Sequence, residues 1–136
     1  MITIDQYFGG KEHTLEQETE AELLLRQVNL LLAEAAAKKV YAMDPCPYTG
    51  TQISGAKGGH GDGGFRLPDS TTGAAKSSHK EAKAVDVFDP LDKLDRWLTD
   101  DLLSHYGLYR ESQFKTPGWC HLTTRPPMSG KRTFMP

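Results

Sequence analysis

The chain has 136 residues, 38% of them hydrophobic, and a formal net charge of −2. This length is enough for one compact domain with one core and too short for two ordinary domains, so we expect a single domain over residues 1–136. The near-neutral charge gives no global basic field, and nucleic acid is not an expected partner. Cys46 and Cys120 are too few for a disulfide scaffold, and we expect two unpaired thiols.

The N-terminal stretch MITIDQYFGGKEHTLEQ lacks a basic region followed by an apolar run. No secretory signal peptide is therefore predicted, and the expected location at synthesis is cytoplasmic. The most apolar stretch, LLLRQVNLLLAEAAA, is interrupted by Arg26, Gln27 and Asn29 well short of the ~20 residues that a membrane span needs. We expect a soluble helix there and no membrane span.

That helix has a clear start and a regular apolar stripe. Thr14 and Gln17 have the spacing of a capping box, and apolar residues then recur at helical spacing, which predicts a helix over about 14–38. The next segment, 43–64, contains Pro45, Pro47 and the glycine-rich GAKGGHGDGG, and is predicted to be a surface loop. Its glycines do not have the spacing of a phosphate-binding loop.

Short strands and helices are predicted to alternate in the second half of the chain. Residues 65–67 are interpreted as a short strand ended by Pro68, and 83–88 as a buried strand in which Asp86 is the misfit. Asp89 is expected to cap a helix with Pro90 at its first position and a stripe of apolar residues, namely Leu91, Leu94, Trp97 and Leu98.

A second short helix is predicted from Thr99 or Asp100 to Tyr106, with Gly107 as its C-terminal cap. The last predicted strand is 119–124, where Trp119 and His121 share one face. The order of elements indicates an α+β fold, a small antiparallel sheet with flanking helices.

The stretch SSHKEAKAVDV places His79 and Asp86 seven positions apart. Residues seven apart on one strand point to opposite faces, so we expect His79 on a loop and Asp86 on the following strand. A loop histidine and a strand carboxylate can converge on a metal ion. Asp86 could instead cap a turn, but an unpartnered carboxylate among Ala and Val would be costly.

The segment FRLPDSTTGAAKSSHKEAKAVDV, followed by GWCHL, resembles the peptidase M15 group. These are zinc D-alanyl-D-alanine peptidases that share a fold with the Hedgehog signalling domain, and the likeness is greatest to small phage- and prophage-encoded members. The positions that match the family pattern lie between 65 and 122 and are Arg66, Ser77, His79, Ala84, Asp86 and His121.

The resemblance implies that His79, Asp86 and His121 bind one Zn²⁺ and leave a position open for water, as in catalytic zinc sites. It also implies that Arg66 binds the substrate carboxylate or the oxyanion, although Arg66 as a salt-bridge residue is an equal alternative. The implied substrate is a peptidoglycan stem peptide. Phage proteins would deliver the enzyme to the wall, and its site of action would be the cell wall or the virion.

Two positions depart from the family pattern. Ala82 stands where the family usually has glycine. Alanine at this position is harmless if φ is negative and strained if φ is positive. Gly118 replaces the catalytic glutamate that many members carry three residues before the second histidine. Our preferred substitute base is Glu111, and Asp62 and Asp69 are further candidates on loops. His60 is a separate candidate, for a fourth metal ligand. The missing glutamate keeps a second hypothesis open, a non-catalytic zinc-binding structural or virion module.

Overall fold

The computed structural model describes residues 1–56, 63–73 and 76–135. It is a mixed α+β fold built on a four-stranded sheet, as the sequence predicted in outline. The helices are α1 (Ile4–Phe8), α2 (Leu15–Ala37), α3 (Lys93–Trp97) and α4 (Asp100–His105), and two short 3-10 helices span Ser78–Glu81 and Gln113–Lys115. The strands are β1 (Ala84–Phe88), β2 (Tyr109–Glu111), β3 (Trp119–Thr123) and β4 (Thr133–Phe134).

Helix α2 forms as predicted because its start signal and its apolar stripe agree. The Thr14 hydroxyl accepts a hydrogen bond from the Gln17 N–H, and the Gln17 side chain accepts one from the Thr14 N–H. This reciprocal cap satisfies two donors that a helix start otherwise leaves unpaired. The buried face of α2 consists of Ala21, Leu24, Leu25, Val28, Leu31, Leu32 and Ala35. Among the described residues, none of the helices combines the length and the apolar character that crossing a membrane requires.

The sheet has the order β1-β3-β2-β4, and its last strand differs from the prediction. β3 pairs antiparallel with both β1 and β2, as expected, whereas β4 pairs parallel with β2. After β3 the chain bends at Thr124 and Arg125 and turns at Met128 and Ser129, and it then pairs with the outer edge of β2 instead of joining β3. Both β2 and β4 consequently run opposite to β3, which makes them parallel to each other.

One face of the sheet forms part of the hydrophobic core, and the other carries polar groups. Val85 lies opposite Leu122, and Val87 lies opposite Cys120, all four being fully buried. Asp86 and His121 occupy the alternate positions and therefore the opposite face. Cys46 and Cys120 are buried and unpaired, as predicted.

The predicted strand at 65–67 is wrong. The backbone N–H of Phe65 donates to the carbonyl of Tyr7 at the end of α1, and that of Arg66 donates to the carbonyl of His79. These partners belong to a helix and to a 3-10 helix, so no strand ladder forms, and Pro68 removes the next donor. Arg66 therefore lies in an extended loop.

The start of α3 was also predicted too early. The helix begins at Lys93, not at Pro90, and Leu91 is 63% exposed and not part of a buried stripe. Asp89 still acts as a cap, because its carboxylate accepts hydrogen bonds from the N–H groups of Leu94 and Asp95. The following helix α4 agrees with the prediction, with Thr99 at its N-cap.

Candidate metal centre

Three polar residues form a row across three strands of the sheet. Asp86 on β1 lies directly opposite His121 on β3. On the other side of β3, Tyr109 pairs with Thr123 and Arg110 with Leu122, so the next residue of β2, Glu111, lies opposite His121. Directly opposite residues share a face of an antiparallel pair. The row therefore presents two carboxylates and an imidazole to the same side of the sheet.

His79 approaches this row from the 3-10 helix that precedes β1. The hydroxyl of Ser77 accepts a hydrogen bond from the His79 N–H at 3.2 Å and begins the turn. Ala82 ends it in the left-handed conformation, with φ of 59°. The turn places the His79 ring in the interior, 1% exposed, with its edge toward Asp86. Ala82 thus adopts a positive φ at which glycine would be unstrained, and the strain for alanine is about 1–2 kcal/mol.

The three sequence-predicted metal ligands converge. Their nearest ligand atoms, one per residue, all lie within 4.8 Å of one another. His121 Nδ1 is 2.8 Å from Asp86 Oδ1, and His79 Nε2 is 3.3 Å from the same oxygen. Two imidazoles and a carboxylate are a donor set that binds zinc and several other divalent metals. These residues could hold a metal ion.

The hydrogen bond on the far side of the His79 ring supports this interpretation. His79 Nδ1 is 2.9 Å from the carbonyl oxygen of Gly64. A carbonyl can only accept, so Nδ1 carries the proton, and in the neutral ring Nε2 presents a lone pair to the Asp86 carboxylate. Two acceptors cannot face each other unpaired, so either a second ring proton on His79, which donates to Asp86 and gives the ring its charge, or a metal cation must lie between them. Metal-bound histidines commonly donate their second nitrogen to a carbonyl in this way.

Asp86 is held as a carboxylate in the interior. The residue is 8% exposed. Burial by itself raises the pKa of Asp86, but the adjacent charge of His79 and hydrogen bonds from His121 and His79 outweigh it and lower the pKa well below its usual range. Arg66 Nη2, 3.5 Å from Asp86 Oδ2, adds a further positive charge. Asp86 is therefore ionised at neutral pH, as a metal ligand must be.

Glu111, the base predicted from the sequence, lines a cavity together with the three ligand residues. A cavity of about 460 Å³ is lined by all three ligand residues together with Arg66 and Glu111. Burial raises the pKa of Glu111, the charge of His121 opposes this rise, and the charge of Asp86 adds to it. A raised carboxylate pKa brings the group closer to the range in which it exchanges protons near neutral pH.

The other residues that the sequence suggested for the site are not found in this cavity among the described residues. His60 and Asp62 lie outside the described residues, and Asp69 is not among the residues that line this cavity. At position 118, the glycine has φ of 91°, and its N–H donates to Asp92 Oδ1 at 2.9 Å. The backbone there forms a turn before β3, and the carboxylate in the cavity comes from β2 instead.

Gly63 and Gly64 support the site in a way that was not predicted from the sequence. The Gly63 carbonyl accepts a hydrogen bond from the Asp86 N–H, and the Gly64 carbonyl accepts one from His79. A Cβ on Gly63 would lie 2.3 Å from the Ser54 oxygen, and one on Gly64 would lie 2.5 Å from the Tyr7 oxygen. The sequence signal was the glycine pair directly before Phe65, which marks a close approach of backbones.

A second group of carboxylates, Asp89, Asp92 and Asp95, is also close enough to hold a cation. Asp89 accepts from two backbone N–H groups, and Asp92 accepts from the N–H of Gly118. Asp95 pairs with Arg110 and accepts from the Thr116 hydroxyl. Because protein donors already satisfy these carboxylates, they are explained as caps and supports for the turns before α3 and β3.

The functional interpretation therefore depends on the polar row, the buried His79 and the cavity that they line. Likeness to other proteins adds nothing to it. No family model, no curated protein and no solved structure matches the chain.

Proposed function

We propose that this chain is a zinc metallopeptidase of the D-alanyl-D-alanine peptidase type, with the Hedgehog-like fold of the peptidase M15 group. Its substrates would be peptidoglycan stem peptides, and its origin a phage or prophage. The observation that carries the proposal is the convergence of His79, Asp86 and His121 on one wall of a cavity that Arg66 and Glu111 also line. The motif order of these residues in the sequence supports the same assignment.

His79, Asp86 and His121 would hold the zinc ion. Zinc bound by two imidazoles and a carboxylate polarises a carbonyl and lowers the pKa of bound water toward ~7. Hydrogen bonds within the chain keep the ligand side chains in place. The Gly64 carbonyl fixes the His79 tautomer, and the Arg66 guanidinium restrains the second Asp86 oxygen.

Glu111 would exchange the protons of the reaction. In the row across the sheet it lies next to His121, and it lines the cavity in which the peptide would lie. It would accept a proton from the attacking water and return it to the leaving amine. Arg66 would donate hydrogen bonds to the substrate, either to its terminal carboxylate or to the carbonyl oxygen as negative charge develops there.

The alternative is a non-catalytic zinc-binding structural or virion module. Gly118 favours it, because the glutamate of many family members is missing at that position. Glu111 favours the enzyme, because a carboxylate from another strand lines the same cavity. The site of action would be the cell wall for the enzyme and the virion for the module, and phage proteins would serve as delivery partners in either setting.

The test combines a measurement of zinc content with an assay of peptidoglycan hydrolysis, in which the released products are identified by their mass. We expect Glu111→Gln to keep its zinc and to lose turnover by ~10²–10⁴-fold, the usual cost of removing a general base. His121→Ala should lose both zinc and activity. Glu22→Gln, which changes an exposed glutamate of α2 in the same way, should behave like the wild type.

Two outcomes would contradict the proposal. Equal zinc in the wild type and in His121→Ala would refute the metal centre. Full zinc without hydrolysis of any wall peptide by the wild type would favour the non-catalytic module.

A further inference from the structure

A second cavity shares lining residues with the metal-site cavity. This second cavity has a volume of about 590 Å³ and lies beside the first. The two share part of their lining, namely Lys76, Ser77, Arg125, Pro126 and Pro127. Because Lys76 and Arg125 line both cavities, a ligand longer than a dipeptide that occupies the metal site lies within reach of these two side chains.

The outer cavity has a basic lining, formed by Lys76, Lys80 and Arg125, which we call the basic arm. One acidic residue, Glu81, lines the same cavity. Lys76 and Arg125 alone outnumber Glu81, so the arm has an excess of positive charge, although the whole chain has a net charge of −2. The outer cavity is thus locally basic in a chain whose overall charge is slightly negative.

Arg125 is held in place by the fold. Its backbone N–H donates to the Thr123 hydroxyl at 3.0 Å, directly after β3 ends. Its Nη1 donates to the Lys76 carbonyl and pairs with Glu81 Oε1, each at 3.1 Å. These contacts use one of the two terminal nitrogens, and a guanidinium carries five N–H donors in a planar fork. Since His121 is four residues earlier on the same chain segment, Arg125 is positioned relative to the metal centre.

We propose that the basic arm is an anion subsite that binds a carboxylate of the substrate away from the bond that is cleaved. The inference rests on the proposed function and specifies its substrate class: peptides with an acidic residue several positions from the scissile bond. Stem peptides offer two such groups, the α-carboxylate of γ-linked D-glutamate and the extra carboxylate of diaminopimelate. Guanidinium groups bind carboxylates in a two-pronged geometry, and lysine adds a mobile point charge.

The strength of this subsite follows from its exposure. Lys76 is exposed, and the side chains of Arg125 and Glu81 are 39% and 44% exposed. Ion pairs in such surroundings are weak and screened by salt, so each cation should improve the dissociation constant by about two- to fivefold. Glu81 competes with the ligand for Arg125, so its neutralisation should strengthen anion binding.

The experiment compares three peptides by calorimetry on zinc-loaded protein in the Glu111→Gln background, so that bound peptide is not consumed. The first is L-Ala-γ-D-Glu-L-Lys-D-Ala-D-Ala. In the second the D-glutamate α-carboxylate is amidated, and in the third diaminopimelate replaces lysine. We expect at least one added carboxylate to tighten binding by about three- to tenfold at low salt, and the gain to shrink as the salt concentration rises.

Substitutions within the arm should change this gain selectively. Lys76→Gln combined with Arg125→Gln should abolish it, and Glu81→Gln should increase it. Arg26→Gln, which removes an exposed arginine of α2, is the matched control and should leave it unchanged. Equal affinity for all three peptides, or a carboxylate gain that survives the double substitution, would overturn the subsite.

Hydrolysis by the otherwise unchanged protein separates the two proposals. Cleavage of all three peptides with no carboxylate preference in binding would leave the peptidase intact and refute only the basic arm. A carboxylate preference that depends on the arm, without cleavage of any peptide, would support the subsite on a non-catalytic module. Absence of both binding and cleavage would overturn both.

Discussion

Gly64 provides the sharpest test of how the fold holds the metal centre. Its backbone passes so close to Tyr7 that a Cβ at this position would lie 2.5 Å from the Tyr7 oxygen, 3.4 Å from its carbonyl carbon and 3.6 Å from its Cα. Contacts of a Cβ below 3.0 Å essentially do not occur, so Gly64→Ala must push the two backbones apart by at least about half an ångström.

A shift of either backbone would lengthen at least one hydrogen bond. The Tyr7 carbonyl accepts from the Phe65 N–H at 3.0 Å, and the Tyr7 hydroxyl donates to the Ala84 carbonyl at 2.8 Å. On the other side, the Gly64 carbonyl orients His79 at 2.9 Å. Overpacking of this kind costs about 1–3 kcal/mol, and one weakened hydrogen bond adds about 1 kcal/mol. We expect Gly64→Ala to lower the free energy of unfolding by about 2–4 kcal/mol.

The metal should respond as well, because the displaced carbonyl fixes the His79 ring. Loss of a partner behind a metal-bound histidine typically weakens metal binding by about 10–100-fold. Urea unfolding of the metal-free protein measures the first effect, and zinc competition with a chelating dye measures the second. Unchanged unfolding and unchanged zinc affinity in Gly64→Ala would refute the close-packing argument.

Gly50→Ala is the matched control for this experiment. Gly50 has φ of +69°, and a Cβ there would have no neighbour within 4 Å. Alanine should therefore cost about 1–2 kcal/mol from backbone strain alone, with no effect on zinc. A loss of zinc affinity in this variant as well would show that general destabilisation, not the position of the Gly64 carbonyl, controls the metal site.

Two further predictions concern Asp95 and Arg66. Burial raises the pKa of Asp95 from 3.8 to about 6, so its stabilising effect is complete below pH 4 and is lost as the pH rises through 6. Compared with Asp95→Asn, the wild type should lose about 3 kcal/mol between those limits in urea unfolding, and parallel pH profiles would contradict this. Arg66→Lys should leave the melting temperature nearly unchanged and weaken binding of a D-alanyl-D-alanine peptide, because lysine lacks the two-pronged donor. Unchanged affinity with a large drop in melting temperature would assign Arg66 to the fold.

The parts of the fold that were predictable are those that depend on local signals. The capping box at Thr14, the helix that follows it and the alternation around Asp86 and His121 are all encoded within short windows. These predictions agree with the structure because the spacing of apolar residues indicates a helix or a strand wherever the conformation depends on residues that are close in sequence. The shared face of Trp119 and His121 followed from the same rule.

The parts that were not predictable depend on partners distant in sequence. Phe65 has a strand-like sequence, but its N–H bonds to Tyr7, 58 positions earlier, so no ladder forms. β4 pairs with β2 because the chain turns at Met128 and Ser129 and returns along the outer edge of β2. Glu111 was chosen as a base from sequence proximity alone, whereas its place in the row depends on the register of β2 with β3.

Stability alone does not explain the polar row. Val85 and Leu122, on the core face of the same strand pair, contribute the apolar burial that stabilises the sheet. On the other face, Asp86 and His79 are withdrawn from water, and apolar replacements of buried charged groups are often neutral or even stabilising. The polar groups that face the cavity thus carry a desolvation cost, and for Asp86 the charge and hydrogen bonds of His79 and His121 outweigh it. An apolar pair at this position would stabilise the sheet without any such partners, so we infer that His79, Asp86 and His121 are arranged to bind a divalent cation and not only to support the fold.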